Sequence, residues 1–317
     1  MSAETTAATP AMQPVIFKRK RRFWPTKLER KQLALASIFI GPWLIGLVGF
    51  IIYPIAFTVY LSFTKFGGIK DPVWIGLANY ERFFSDPNFS KALYVTLYYT
   101  LLAVPLGLVI AIILATAMNT DLPEIPIYRV IIFLPSVLPL FAISFIFKVM
   151  LDPNKGIVNE MLRNIGLNPP NWFGNPDYAR IGLVILAQFS AGQVALVFLA
   201  GMKGIPSHLY EAAMIDGAGM FNRFFKITLP LLTPIILYDL ILGISLGLQV
   251  FTQAYIITDG GPAKSTTFLV FYLYQNAFKF SLMGFASAIG VFLFVLTFAL
   301  AALIFTTSKK WVHYDLT

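Results

Sequence analysis

Few residues in this chain could do chemistry, and their placement says which kind. There is no cysteine, and the two histidines, His208 and His313, are too few and too far apart for a metal cluster. A nucleophile with its base is likewise missing, and Gly260-Gly261-Pro262-Ala263-Lys264-Ser265 only superficially suggests a phosphate loop. Alanine precedes the lysine there, and no glycine stands at the required earlier spacing. Within the apolar stretches the ionisable residues are Lys148, near an end where it can snorkel, and Asp239. At 100° per residue Asp239, Leu246, Gln249 and Gln253 share one face of a helix, a polar stripe suited to a water-filled passage. Gln188 and Gln193 on the preceding apolar stretch invite the same reading. Equally, each glutamine could join helices across a bundle.

The elements that position these groups are membrane spans. The 317 residues are 57% hydrophobic and 12% charged, far from the soluble mixture of about half apolar and a quarter charged. Six blocks reach the roughly 20 apolar residues a helical span needs: about 33–63, 92–118, 127–151, 181–202, 227–258 and 282–306. The first is too long for a signal peptide and reads as an uncleaved span. The fold expected is therefore all-α, a polytopic bundle of six transmembrane helices over residues 32–308. Residues 1–31 form a basic tail expected to be disordered, and 309–317 a short C-terminal tail. Basic residues at 18–31, with Lys309 and Lys310, place both termini in the cytoplasm of a bacterial inner membrane. The net charge of +9 is thus a membrane flank and no signal for nucleic acid. Pro42, Pro54, Pro105, Pro135, Pro139 and Pro234 fall within the spans, and Gly243 with Gly247 has the spacing that lets helices approach closely.

This topology puts one polar segment, residues 204–230, in the cytoplasm: GIPSHLYEAAMIDGAGMFNRFFKITLP. Ser207 is a plausible N-cap for a short helix from 208 to about 216, and Gly217 and Gly219 free the backbone for a turn. A second short helix starts near Met220 and leads toward Ile227. Leu209, Ala212, Ala213 and Ile215 are expected to form an apolar face, with Glu211 and Asp216 opposite, as for a helix seated in a partner's groove.

The spacing Glu211-Ala212-Ala213, Gly217, Ile227 and Leu229-Pro230 resembles the signature of the permease subunits of ABC importers. In that family the helix pair docks on an ATPase subunit and transmits its closure to the spans, so the resemblance implies a coupling role for Glu211, Ala212, Ala213, Asp216, Gly217, Gly219, Ile227, Leu229 and Pro230. Residues 255–294, together with GLANYERFF, RVIIFLPSVLP and DPNKGIVNEMLRNIGL, resemble the carbohydrate-uptake branch, specifically the first permease of maltose and glycerol-3-phosphate systems. The resemblance covers about residues 33–305, without the extra spans and large outer domain of the maltose subunit.

What it implies is a sugar importer subunit that pairs with a second permease, two ATPase subunits and an external binding protein. ATP and Mg would be used by the ATPase, with no cofactor held by this chain. Asp239, Gln249, Gln253, Tyr255, Gln188 and Gln193 are then the candidates for meeting a sugar, hydroxyls on the amides and a pyranose ring on Phe251 or Tyr255. Glycerol phosphate or another small polar solute is the alternative cargo. An ion-coupled carrier would want paired intramembrane carboxylates, whereas Asp239 stands alone.

Overall fold

The computed structural model describes residues 27–314, so residues 1–26 of the basic tail and 315–317 of the C-terminal tail lie outside the described residues. The chain divides into two units, Met1–Ile55 and Ala56–Thr317. The first holds α1 (Lys27–Gly46), which keeps Pro42 in its interior, and a π-helical turn at Leu47–Ile52. α2 (Tyr53–Ser62) follows. Pro54 has no N–H to give the preceding turn, and the widened π turn lies just where that bond is lost.

In the second unit, which begins within α2, a small hairpin follows, β1 (Thr64–Lys65) against β2 (Val73–Trp74), then α3 (Ala78–Ser85). α4 (Pro87–Met118) is the axis of the fold. Its start is specified twice: Pro87 occupies the first turn, where no N–H is needed, and the Asp86 carboxylate accepts from the Asn88 N–H at 2.8 Å. Along α4 the buried residues are mostly small or hydroxylic, among them Ala92, Thr96, Thr100, Ala103, Ala111 and Ala115. Small side chains let neighbouring backbones approach, and the threonine hydroxyls return to carbonyls one turn back. Cβ atoms on Gly243 and Gly247 would stand 2.8 Å from Val104 and 3.0 Å from Thr100, the close helix approach expected from their spacing.

α5 (Ile125–Val137) and α6 (Leu140–Met150) meet at 97° across Leu138-Pro139. After α7 (Ile157–Asn164) come α8 (Pro176–Gln188) and α9 (Ala191–Lys203), bent by 44°. α10 (Ser207–Ile215), α11 (Met220–Arg223), a π turn at Phe224–Thr228 and α12 (Leu229–Leu231) lead into α13 (Thr233–Leu248) through a 63° bend. α14 (Leu269–Tyr274), a π turn at Gln275–Lys279 and α15 (Met283–Ser308) complete the chain. Among the described residues three helical stretches, 30–62, 87–118 and 283–308, are long and apolar enough to cross a membrane, and six crossings result if each bent pair counts as one. Six crossings match the six blocks expected, and the third, fourth and fifth of them are each made of two helices.

Three buried clusters order the second unit along α4. Phe83, Phe89, Tyr272 and Phe285 surround its start, Tyr99, Leu183, Phe268 and Phe271 its middle, and Met118, Ile125, Met202 and Leu232 its end. The α10–α11 element lies at the Met118 end, where the His313 N–H also donates to Thr233 Oγ1 at 2.9 Å. Gly192 is one of the tightest points of this packing, because a Cβ there would lie 2.0 Å from the Ile132 carbonyl oxygen of α5. Gly192→Val is expected to force α9 off α5 at a cost of about 1–3 kcal/mol or more. The check is thermal aggregation of the purified protein, read by size exclusion, which should start at a clearly lower temperature.

Candidate functional site

The α10–α11 element is built by its turn. Pro206, with φ −61° and ψ 133°, takes the half-in position before α10, so the helix begins one residue earlier than its sequence suggests. Ser207 therefore sits inside the first turn, and its expected capping bond is absent. At the other end the Gly217 N–H donates to the Met214 carbonyl at 3.0 Å and the Ala218 N–H to that of Ala213 at 2.8 Å. This paired closure needs a left-handed residue, which Gly217 supplies at φ +75°. Gly219, extended at φ −68° and ψ 168°, launches α11, and the Tyr210 hydroxyl bonds Thr228 Oγ1 at 2.9 Å to brace the two arms.

The surface it presents differs from the expected face. Leu209 and Ala213 turn partly inward, while Ala212 is exposed and Ile215, six residues and some 240° from Leu209, is 87% exposed. The apolar surface is instead Met214, Ile215, Met220, Phe221 and Phe225, with Glu211 and Asp216 exposed beside it. Ile227, Leu229 and Pro230 are half-buried and form the stem.

The second region is a groove along α4. One cavity of about 450 Å³ is lined by Tyr99, Leu140, Gln249, Phe251, Thr252 and Gln253. The adjoining one, about 260 Å³, is lined by Gly107, Gln188, Ser190, Gln193 and Asp239. Both share Ala103, Val104, Ala187, Gly243 and Leu246, so they form a continuous polar-spotted path.

Asp239 faces this path with its Oδ2 buried and, among the described residues, without a hydrogen-bond partner. The Gln188 amide donates to Val184 O at 2.9 Å and across to Ala103 O on α4 at 3.3 Å, so its Nε2 joins helices. Its Oε1 lies against Gly107, where a Cβ would stand 3.1 Å away. Gln193 is exposed. Gln249 closes the last turn of α13 by donating to Ser245 O at 3.0 Å.

The continuous stripe expected over 227–258 does not exist, because α13 ends at Leu248 and Gln249 is its cap. Gln253 reaches the cavity from the separate segment that runs into a π turn at Ala254–Thr258. Tyr255 lies outside the lining, stacked on Phe251 at 5.5 Å and 12° and edge-on to Tyr274 at 5.9 Å. Lys148 donates to Ile256 O at 2.8 Å and so ties α6 to this turn. Tyr99, Ser190 and Thr252 line the path unpredicted; Ser190 reaches it because it sits in the α8–α9 break, which the fourth block's apolar pattern does not mark.

The family model described as "Binding-protein-dependent transport system inner membrane component" matches residues 107–313, from the middle of α4 past the end of α15. The chain belongs to this family. Its relatives among these inner membrane components include a probable ABC transporter permease protein, YesP, of Bacillus subtilis, 38% identical over 90% of this chain and 94% of the relative. The sulfoquinovosyl glycerol transport system permease protein SmoG of Agrobacterium fabrum is 37% identical over 88% of this chain and 92% of its own. A trehalose/maltose transport system permease protein, MalF, of Thermococcus litoralis is 33% identical, covering 86% and 92%. In fold the chain is similar to one from the crystal structure of a bacterial ABC transporter that imports the acidic polysaccharide alginate. The TM-score there is 0.78 at 24% identity, over 89% of this chain and 96% of that one. The family match takes in both α10–α11 and most of the groove.

Proposed function

We propose that this inner membrane component is one of two permease subunits of an ATP-driven, binding-protein-dependent sugar importer, with α10–α11 as its contact to the ATPase. The observation that carries the reading is the exposed apolar tip of that element, Met214, Ile215, Met220, Phe221 and Phe225, on a braced turn at one end of the bundle. A hydrocarbon surface of this kind outside the spans gains by entering a groove on a partner, and the stem through Ile227, Leu229 and Pro230 links any displacement directly to α13. The termini and α10–α11 then face the cytoplasm.

Sugars are the cargo because several relatives carry sugar-transport names, including permeases for lactose in Rhizobium radiobacter and for arabinooligosaccharides in Bacillus subtilis. Amides, hydroxyls and aromatic rings spaced along the groove suit hydroxylated rings that must be passed on without tight capture. ATP and Mg would be handled by two partner ATPase subunits, leaving this chain with no cofactor. A second permease would close the open side of the groove, and an external binding protein would deliver the sugar.

The test is the complete complex reconstituted in lipid with its binding protein. ATP hydrolysis stimulated severalfold by particular mono-, di- or oligosaccharides is the expected result. Uptake that survives ATP depletion but collapses with an uncoupler would overturn it in favour of an ion-coupled carrier.

A further inference from the structure

At the end of the bundle away from α10–α11, a cavity of about 530 Å³ lies outside the groove and shares no lining residue with it. Its walls include Arg82, Asp86, Asn88, Lys264, Tyr272 and Asn276. A smaller neighbour of about 290 Å³ meets it at Arg82 and Leu282 and adds Lys65. The larger cavity thus sets Arg82 and Lys264 in one wall with the Asp86 carboxylate, and Lys65 lines the smaller one.

That carboxylate is already engaged. Asp86 accepts from the Tyr272 hydroxyl and from the Asn88 N–H. Burial alone would raise its carboxyl, but these bonds and the nearby Arg82 charge outweigh it and hold Asp86 below the usual range, so it stays ionised. Arg82 is held by stacking, its guanidinium carbon 4.4 Å from the Phe285 ring centre, and among the described residues nothing accepts a hydrogen bond from it. Lys264 donates at 2.6 Å to a neutral acceptor, Asn88 Oδ1.

The lysine is presented by a stiff turn. Asp259, Ala263 and Lys264 are left-handed at φ 46°, 48° and 61°. Bonds from Thr266 to Gly261 O and from Thr267 to Gly260 O hold that turn in place, and Lys91 reaches Ala263 O at 2.6 Å. Tyr272 and Asn276, both under 10% exposed, give the cavity a polar floor.

The mouth stands where the apolar helices α4 and α15 begin, so it is level with an end of the bilayer's hydrocarbon layer. Phe84 and Phe280, at 70% and 61% exposure, stand beside it as apolar surface. We propose that this cavity holds the phosphate of an anionic phospholipid with a hydroxylated headgroup. Arg82 and Lys264 take the phosphate oxygens, and the Asn276 amide and the remaining Asp86 lone pairs take headgroup hydroxyls. The inference uses only the family's place in a membrane and is independent of the cargo.

Native mass spectrometry of the full chain in detergent, with phosphatidylglycerol or phosphatidylcholine added at equal concentration, tests it. The expected result is retention of phosphatidylglycerol over phosphatidylcholine by about tenfold, lost in Arg82→Gln with Lys264→Gln and largely kept in Arg82→Lys, as charge-assisted bonds to phosphate require. Size exclusion and melting of these variants should match the parent; if the double variant unfolds, Arg82→Gln alone is read against Arg82→Lys. Equal retention of the two lipids, or no change on removing both cations, overturns the proposal. Displacement of the lipid by glycerol phosphate at comparable concentration overturns the lipid assignment and gives the site to soluble phosphate esters.

Discussion

Gly217→Pro is expected to leave the chain in the membrane and to lower ATP-driven uptake by more than tenfold. The native backbone at 217 has φ +75°, and its N–H bonds the Met214 carbonyl. Proline fixes φ near −65° and has no N–H, so the substitution removes one bond, breaks the geometry of the neighbouring Ala218-to-Ala213 bond and redirects α11. No residue of α10 or α11 is buried, so the damage stays in the exposed element and spares the bundle. A few kcal/mol lost from the docking geometry, at 1.4 kcal/mol per tenfold, suffices for the stated fall. Gly217→Ala bears only the cost of a left-handed alanine, about 1–2 kcal/mol, and is expected to retain partial activity. Uptake into proteoliposomes, with membrane abundance and sugar-stimulated ATP hydrolysis measured alongside, decides the matter. Normal uptake in the proline variant means that α10–α11 does not couple.

The turn in that element is legible in the sequence because only glycine reaches φ +75° without strain, and Gly217 stands where a helix must end. The cap is not legible in the same way, because Pro206 brings its own extended conformation and takes the half-in position that residue type alone gives to Ser207. A similar contrast separates the spans. α4 and α15 were readable as continuous because their small and apolar residues support one uninterrupted contact line, and α4 even carries Pro105 without a break. Proline is therefore no reliable marker of where a span divides. Pro139 sits at the 97° corner, yet Pro135 lies inside α5, and the Phe189-Ser190 break has neither proline nor glycine. α8 and α9 both pack along α4, and such long-range contacts are information that no local window contains.

The polar stripe failed for the same reason. Periodicity over 227–258 requires one helix, but the chain bends at Leu232, and the helix breaks after Leu248 before a short helical turn resumes and runs into Ala254–Thr258. Asp239, Gln249 and Gln253 nonetheless line one path, because the segment after the break lies beside Tyr99 and Leu140 at the same cavity. Tyr255 is not in that lining, and its ring stacks on Phe251.

Leu246→Trp should close that path. Leu246 lines both cavities and is 70% exposed, so its side chain is hardly packed and a larger one need not displace the core. An indole there projects into the junction that a sugar ring must pass, and uptake is expected to fall at least tenfold with assembly and basal ATP hydrolysis unchanged. Gln249→Ala with Gln253→Ala acts differently. It leaves the path open and removes hydrogen-bonding groups worth about 0.5–1.5 kcal/mol each, so the apparent KM for the sugar should rise severalfold while maximal uptake persists. Gln249 also caps α13 and Gln253 is buried, so melting of the double variant must be measured beside its kinetics. Blockage by the indole with altered affinity in the glutamine pair requires cargo to travel along α4 and α13. Unchanged uptake in Leu246→Trp would mean that the groove is a packing defect covered by the second permease, and the path would have to run elsewhere.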